Sequence, residues 1–159
     1  MAIQMLYQSD VGGSDLRQIF ASFDFTPYLT GPSKAPEDAE TEAAPEEKPR
    51  PVLQRPQLEE AFTYACNLVR GAVENTSAID KLITEQADNW RLERMPIVDR
   101  NVLRLAVYEM LYEQDIPKLV VVDEAIELAK RFGSENSSRF VNGLLDGLLK
   151  QAPFHGRAS

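Results

Sequence analysis

Three neighbouring side chains near the C-terminal end of the sequence, Arg139, Phe140 and Asn142, have the chemistry of a contact to unpaired bases. Arginine offers a planar cation, phenylalanine a flat face on which a base can stack, and asparagine both a donor and an acceptor for base edges. Single-stranded RNA is recognised mainly through such stacking and edge contacts. Phe140 is equally consistent with a place in the hydrophobic core, so both interpretations stay open.

The serines before these residues add a second polar feature. Ser134, Ser137 and Ser138 surround the predicted start of the last helix. Free backbone N–H groups at a helix N-terminus attract phosphate oxygens. This end of the helix could therefore position a nucleic-acid backbone.

Signals for catalysis or metal binding are weak in this sequence. It has no glycine-rich phosphate-binding motif and no cluster of cysteine and histidine at metal-ligand spacing. Its single histidine, His155, lies in the C-terminal tail, and its single cysteine, Cys66, has no evident activating base and is interpreted as a packed thiol. We expect a protein that is not an enzyme and that uses neither a metal nor a cofactor.

Glu109 interrupts the most apolar helical segment of the chain and is therefore predicted to be half-buried. A buried carboxylate needs a cation or several hydrogen-bond donors. Arg100, Arg104 or residues of neighbouring helices could supply them, and contact with a binding partner is the alternative.

The charge of the chain restricts its partners. The formal net charge of the 159 residues is −8, and the sequence pI is about 4.7. Bulk electrostatic binding of nucleic acid needs clustered lysine and arginine, so neither DNA nor a membrane surface is an expected partner. Any RNA contact must be small, or be shared with a basic partner. The sequence shows neither a secretory signal nor an apolar run that could span a bilayer, which together with the lone cysteine favours the cytoplasm.

Apolar residues recur at helical spacing through most of the chain, and no stretch alternates as a strand would, so we predict an all-α bundle. The helix around Val98 to Tyr112 is the most apolar and should be central. Asn142-Gly143 falls inside the last helix, which indicates a close-packing site. The predicted organisation is residues 1–30 as an N-terminal helical part whose first helix is truncated, 31–56 as a disordered acidic proline-rich insertion, 57–152 as a C-terminal helical bundle and 153–159 as a flexible tail.

Five phrases of the sequence together resemble the NusB family of bacterial transcription antitermination factors. They lie in residues 2–13 and 58–149, which is most of the predicted ordered chain. The phrases are Ala2-x-Gln4-x-Leu6-Tyr7, Asn89-Trp90-x-Leu92-x-Arg94-Met95, Leu103-Arg104-Leu105-Ala106-x-Tyr108-Glu109, Asp123-Glu124-Ala125-x-Glu127-Leu128-Ala129-Lys130 and Phe140-Val141-Asn142-Gly143-x-Leu145-Asp146.

This resemblance implies a bundle of about seven helices in two subdomains. It also implies binding of boxA RNA together with the ribosomal protein NusE, in RNA polymerase antitermination complexes that read through ribosomal RNA operons. The residues that match the RNA-binding positions of the family are Gln4, Tyr7, Ser134, Glu135, Arg139, Phe140 and Asn142. Asp99 and Arg100 are candidates for the contact with NusE.

Two departures from the family pattern affect this interpretation. Family members begin with an arginine-rich segment just before the Ala-x-Gln-x-Leu-Tyr phrase, and here Met1 stands directly before Ala2. The insertion at 31–56, which holds six prolines and six acidic residues, is the second. The alternative hypothesis is therefore a helical protein-interaction module that binds NusE but has lost direct RNA binding.

Overall fold

The structure, a computed structural model, describes residues 1–29, 54–87, 91–113 and 115–151. Within those ranges the chain forms helices and no β-strand, which confirms the predicted all-α fold. One turn of 3-10 helix spans Leu92–Arg94. The α-helices of the described residues are α1 (Ala2–Gly12), α2 (Leu16–Ala21), α3 (Thr26–Leu29), α4 (Arg55–Glu74), α5 (Thr76–Gln86), α6 (Ile97–Tyr112), α7 (Lys118–Phe132) and α8 (Ser137–Leu149).

Helix α4 begins earlier than the sequence predicted. Arg55 and Pro56 form its first turn, although the prediction placed them in the acidic insertion and started the helix at Gln57. Proline is tolerated in a first turn because the N–H that it lacks has no helical partner there. The Gln57 side chain also accepts a hydrogen bond from the backbone N–H of Gln54, at 3.2 Å. The rest of the predicted insertion, and the predicted tail, lie outside the described residues.

Helix α6 is the centre of the bundle, as its apolar sequence predicted. It contacts all five of the other long helices, α1, α4, α5, α7 and α8. Its fully buried side chains include Val102, Leu103 and Val107. Because α6 touches every long helix, its polar residues decide how the helices are held relative to one another.

The buried side chains form two clusters on either side of α6. The larger cluster joins α5, α6, α7 and α8, and Ile3 of α1 also belongs to it. The smaller cluster joins α1, α2 and α4 to Leu105 of α6. Two clusters agree with two subdomains, but α4, which the sequence grouped with the C-terminal bundle, shares its cluster with α1 and α2. Helix α1 contributes to both clusters, so its position is fixed from two sides.

Two glycines are required by the backbone or by close packing. Gly13 ends α1 with a φ of 60°, in the left-handed region where residues with a Cβ are strained. Gly71 of α4 lies directly under the ring of Tyr108 on α6, where a Cβ would overlap the tyrosine ring. Gly143, which the sequence pattern indicated as a close-packing site, has open space around it instead. That prediction was wrong, because Gly143 lies on the exposed side of α8.

Replacing Gly71 with alanine should destabilise the protein although alanine is the better helix former. The methyl group must displace the Tyr108 ring, and overpacking of this kind costs about 1–2 kcal/mol net of the gain in helix propensity. Chemical denaturation followed by circular dichroism measures the change. Gly143→Ala is the matched control, and it should stabilise by about 0.5–1 kcal/mol because nothing opposes the added methyl. Equal effects of the two substitutions would contradict the close contact.

Two smaller observations complete the fold. Within the described residues, no helix has the length and apolar character that crossing a membrane demands. Cys66 is a buried free thiol in α4, and burial raises the pKa of that thiol, which confirms its interpretation as a packed residue.

Candidate nucleic-acid interface

Helix α1 presents both of its predicted RNA-binding residues beside its buried stripe. Ile3, Met5 and Leu6 are buried in the two clusters, which fixes the rotation of the helix. As a result Gln4 is half-buried and Tyr7 is 43% exposed. A tyrosine with its face partly open to solvent can stack on an unpaired base.

A hydrogen bond orients Gln4. The Tyr28 hydroxyl of α3 donates to Oε1 of Gln4, at 2.9 Å. The ring of Tyr28 lies 6.2 Å from that of Phe23, between ring centroids, so the donor is held in an aromatic group. With its oxygen engaged, Gln4 keeps its amide N–H groups for an acceptor such as a base edge.

A cleft of about 520 Å³ connects α1 with the ends of two other helices. Its lining includes Gln4 and Tyr7 of α1, Val98 at the start of α6 and Phe132 at the end of α7. A second groove, of about 490 Å³, runs along the other side of Tyr7 between α1 and α2. Tyr7 therefore stands between two open grooves, and a chain of bases could pass over it.

The junction between α7 and α8 carries the next predicted residues. It follows Phe132, so Ser134 and Glu135 come two and three residues after a side chain that lines the cleft, and both are exposed. Ser137, in contrast, is buried, and its hydroxyl accepts a hydrogen bond from the backbone N–H of Ser134, at 2.9 Å. Of the three serines around the start of α8, Ser137 therefore holds the junction together instead of facing outward.

Helix α8 turns Arg139 and Asn142 outward. The two residues are three positions apart, which puts them on one side of the helix, and both are exposed. Phe140 is half-buried and packs against the larger cluster. It therefore has a structural role.

The two candidates for partner contact at the start of α6 are less accessible than the sequence suggested. Asp99 is only 3% exposed, and its Oδ1 accepts no hydrogen bond from the described residues. Arg100 donates from Nε to Oδ2 of Asp10 on α1, at 2.7 Å, so its charge is already paired. Neither residue is among those that line the cleft, although Val98 directly before them is.

The ion pair of Arg100 belongs to a larger network that ties three helices together. Arg104 makes a two-pronged contact with Asp80 of α5, at 2.8 and 3.0 Å, and reaches Asp10 of α1 at 3.2 Å. Asn101, fully buried, donates to Asp10 at 3.2 Å. Burial alone would raise the pKa of the Asp10 carboxyl, but the hydrogen bond from Arg100 and the charges of Arg104 and Arg100 hold that pKa below its usual value. This network anchors the end of α1, and hence the face that carries Tyr7.

The sequence offered Arg100 and Arg104 as partners for the carboxylate of Glu109. That expectation was wrong for both arginines, because the network already occupies them. Glu109 is more buried than predicted, at 7% exposure. Neither Arg100 nor Arg104 pairs with it, and they contact Asp10 and Asp80 instead. Burial, followed by the charges of Glu124 and Glu113, raises the pKa of Glu109 to about 7.

The structure adds residues that sequence reasoning missed. Tyr28, Val98 and Phe132 line the cleft, and none of them was singled out for binding. Phe132 and Val98 follow core patterns in the sequence, and no local signal shows that both side chains line the same cleft. Tyr28 could be found only by knowing that α3 folds back onto α1. Within the described ranges, no three or more histidine, cysteine, aspartate or glutamate side chains are placed to hold a metal ion.

The fold and the cleft beside α1 define a class of protein. It is an all-helical, acidic module with aromatic and amide side chains around an open cleft. The chain belongs to the NusB family, whose sequence model matches residues 1–150. Transcription antitermination protein NusB of Sorangium cellulosum is 39% identical over 149 residues, which are 94% of this chain and 86% of that protein. The relative of the same name from Thermotoga maritima is 58% identical over 83 residues, which are 52% of this chain and 58% of that protein.

The extent of these matches differs between relatives. The relative from Geotalea daltonii is 50% identical over 93 residues, which are 58% of this chain and 64% of that protein. The chain thus spans about three fifths of the length of the Thermotoga and Geotalea proteins that it matches. The family consists of antitermination proteins rather than enzymes, in agreement with the sequence-based prediction.

Two solved structures share the fold. One is NusB of T. maritima, with a TM-score of 0.69 and 38% identity over 94% of this chain and 86% of that one. The other is a chain in the crystal structure of a plectonemic RNA supercoil, with a TM-score of 0.69 and 25% identity over 94% of this chain and 88% of that one. These similarities confirm the predicted NusB-like architecture.

Proposed function

We propose that this chain is a cytoplasmic antitermination factor that binds boxA-type single-stranded RNA together with the ribosomal protein NusE. In this role it joins the RNA polymerase antitermination complex and promotes read-through of ribosomal RNA operons. The observation that carries the proposal is the cleft that Gln4 and Tyr7 of α1 line together with Phe132 at the end of α7. Arg139 and Asn142 add two exposed polar side chains on α8.

The charge of the chain makes a basic companion part of this proposal. With a net charge of −8, the protein cannot attract an RNA backbone over its whole surface. A cationic protein bound beside the cleft would neutralise the phosphates while the placed side chains read the bases. Asp99 and Arg100 at the start of α6 stay the proposed contact with the companion, although Asp99 is 3% exposed and Arg100 already pairs with Asp10.

The experiment is a binding titration with fluorescently labelled boxA RNA, NusE and the full chain, alone and combined. We expect weak binding to the chain alone and tight binding in the ternary mixture, because only the mixture holds both base contacts and cations. The alternative, a module that binds NusE without touching RNA, is favoured by the scarcity of cations on the face. In that case the chain would bind NusE but leave the affinity of NusE for RNA unchanged.

Substituting Tyr7 with alanine tests the face directly. If the ring stacks on a base, its loss should weaken ternary RNA binding by roughly five- to thirtyfold, or about 1–2 kcal/mol. The matched control is Tyr112→Ala, a tyrosine of similar exposure near the opposite end of α6, which should leave RNA affinity unchanged. Equal losses in the two variants would count against the α1 face, and NusE binding without RNA should survive both substitutions.

A further inference from the structure

A second surface of the molecule combines carboxylates with exposed apolar side chains and lies away from the cleft. We name it the carboxylate face, and define it as Tyr64 of α4, Glu109 and Glu113 of α6, and Val120 and Glu124 of α7. Glu109 and Glu113 lie one helical turn apart on α6, Val120 and Glu124 lie one turn apart on α7, and these two helices pack against each other. Burial, then the charges of Glu109, Glu113 and Glu124, raises the pKa of Tyr64 to about 12.

Glu109 is the unusual member of this face. It is 7% exposed, and its side chain makes no hydrogen bond or ion pair with any described residue. The charged groups that face it are Glu113 on its own helix and Glu124 on α7, and both are acidic. A buried carboxylate among like charges is costly for the folded protein, so it is an incomplete contact that a cation would complete.

The rim of the face is apolar and open. Tyr64 is 46% exposed and Val120 is 43% exposed, while Leu119 beside Val120 is 72% exposed. Val120 precedes Glu124 by one helical turn, so the two lie on the same side of α7. Exposed apolar side chains beside an unpaired charge can exclude water from a cation that binds there, which strengthens the attraction between the two charges.

We propose that the carboxylate face docks a protein segment that carries a lysine or arginine flanked by apolar side chains. The cation enters beside Glu109, between Glu113 and Glu124, and the apolar neighbours cover Tyr64 and Val120. A metal ion does not fit, because no three such side chains of the described residues are placed to hold one. RNA is repelled by the carboxylates, and a second copy of the chain carries the same net charge of −8. This docking is separate from the proposed RNA and NusE binding.

The test uses a short amphipathic peptide of leucine and lysine as the probe and the full chain as the receptor. Nuclear magnetic resonance should show amide shifts at Tyr64, Glu109, Glu113, Val120 and Glu124, and fluorescence anisotropy gives the affinity. A peptide of leucine and glutamate should not bind. Shifts centred on the α1 cleft, or equal binding of the two peptides, would overturn the proposal.

Paired variants separate local docking from bulk charge. Glu113→Gln with Glu124→Gln should weaken binding of the leucine–lysine peptide by about tenfold or more, because the cation loses its local partners. Glu85→Gln with Glu93→Gln removes the same charge from exposed positions elsewhere and should weaken it by less than about threefold. Equal losses in the two pairs would reduce the interaction to net charge and overturn the proposal.

The pH dependence of peptide affinity and the oligomeric state of the chain give two further tests. Because the cation prefers an ionised Glu109, affinity should rise between pH 6 and pH 8, and Glu109→Gln should remove that rise. Unchanged pH dependence in Glu109→Gln would contradict the placement of the cation. Sedimentation velocity should show a monomer, and a dimer abolished by Glu113→Gln with Glu124→Gln would overturn the choice of partner. Failure of the RNA and NusE titrations would leave each of these results unaffected.

Discussion

Replacing Arg104 with methionine should lower the free energy of unfolding by about 3 kcal/mol, since removing this arginine from a buried ionic network leaves the carboxylate of Asp80 without its cation. Arg104 bridges Asp80 of α5 and Asp10 of α1 from its position on α6. Methionine fills much of the same volume but leaves both carboxylates without that cation. The side chains of Arg104, Asp10 and Asp80 are only 16–24% exposed, so solvent cannot replace the lost contacts fully. Urea denaturation followed by circular dichroism measures the loss.

Controls separate this network from ordinary surface charge. Arg17→Met removes an exposed arginine of α2 and should change stability by less than about 0.5 kcal/mol. Adding Asp80→Asn to Arg104→Met should restore part of the stability, because Asp80 then no longer carries a charge without its cation, whereas Asp10 keeps its ion pair with Arg100. A loss as small as that of Arg17→Met would mean that water already screens the network. Faster hydrogen exchange in α1 should accompany the Arg104 variant, because α1 is anchored through Asp10.

The fold was largely predictable because its information is local. The apolar spacing of α6 and α8 marks helices with buried stripes, and the nearly all-apolar α6 could lie only at the centre. What local pattern does not contain is which helices share a cluster. Helix α4 shares one with α1 and α2, although it is adjacent in sequence to α5. That pairing depends on packing between residues some 60 positions apart, such as Met5 and Ala65.

In the candidate site, too, features set by local spacing were predictable and features set by contacts distant in sequence were not. Arg139 and Asn142 could be placed on the exposed side of α8 from spacing alone, and they lie there. The accessibility of Asp99 and Arg100 could not be predicted, because it depends on the contact between Arg100 and Asp10, which are 90 residues apart. Glu109 shows the same limit. Its burial follows from its apolar neighbours, but its lack of a cation follows from Asp10 and Asp80 taking both arginines.

Glu109→Gln should stabilise the protein at pH 8, by about 2–3 kcal/mol, and should do little near pH 4. Burial and two neighbouring glutamates raise the pKa of Glu109 from 4.5 to about 7 in the folded state. The folded protein therefore holds this proton more tightly than the unfolded chain. The resulting contribution is favourable below the unfolded value of 4.5 and is lost as the pH rises through 7. Glutamine resembles the protonated acid, so it avoids the penalty at every pH.

Denaturation curves at several pH values between 4 and 8 measure this difference. The gap between Glu109→Gln and the original protein should widen with rising pH and level off above pH 7. Glu127→Gln is the matched control, since Glu127 is an exposed carboxylate on α7 that pairs with Lys130 at 3.8 Å. It should give a difference below about 0.5 kcal/mol at all pH values. A constant gap for Glu109→Gln, independent of pH, would show that the carboxylate finds a cation or donors in solution.

The sign of this effect connects stability with binding. The ionised carboxylate of Glu109 destabilises the folded protein at neutral pH, and glutamine could replace it without a change of shape. The charge of this residue therefore does not stabilise the fold. Stabilising substitutions that lose function mark residues whose strain serves binding. A cationic segment docked at Glu109 would lower the pKa of that carboxyl again and recover the penalty as binding free energy. The Glu109→Gln variant should therefore be more stable at pH 8 while binding the leucine–lysine peptide more weakly, whereas a purely structural glutamate would show the first change without the second.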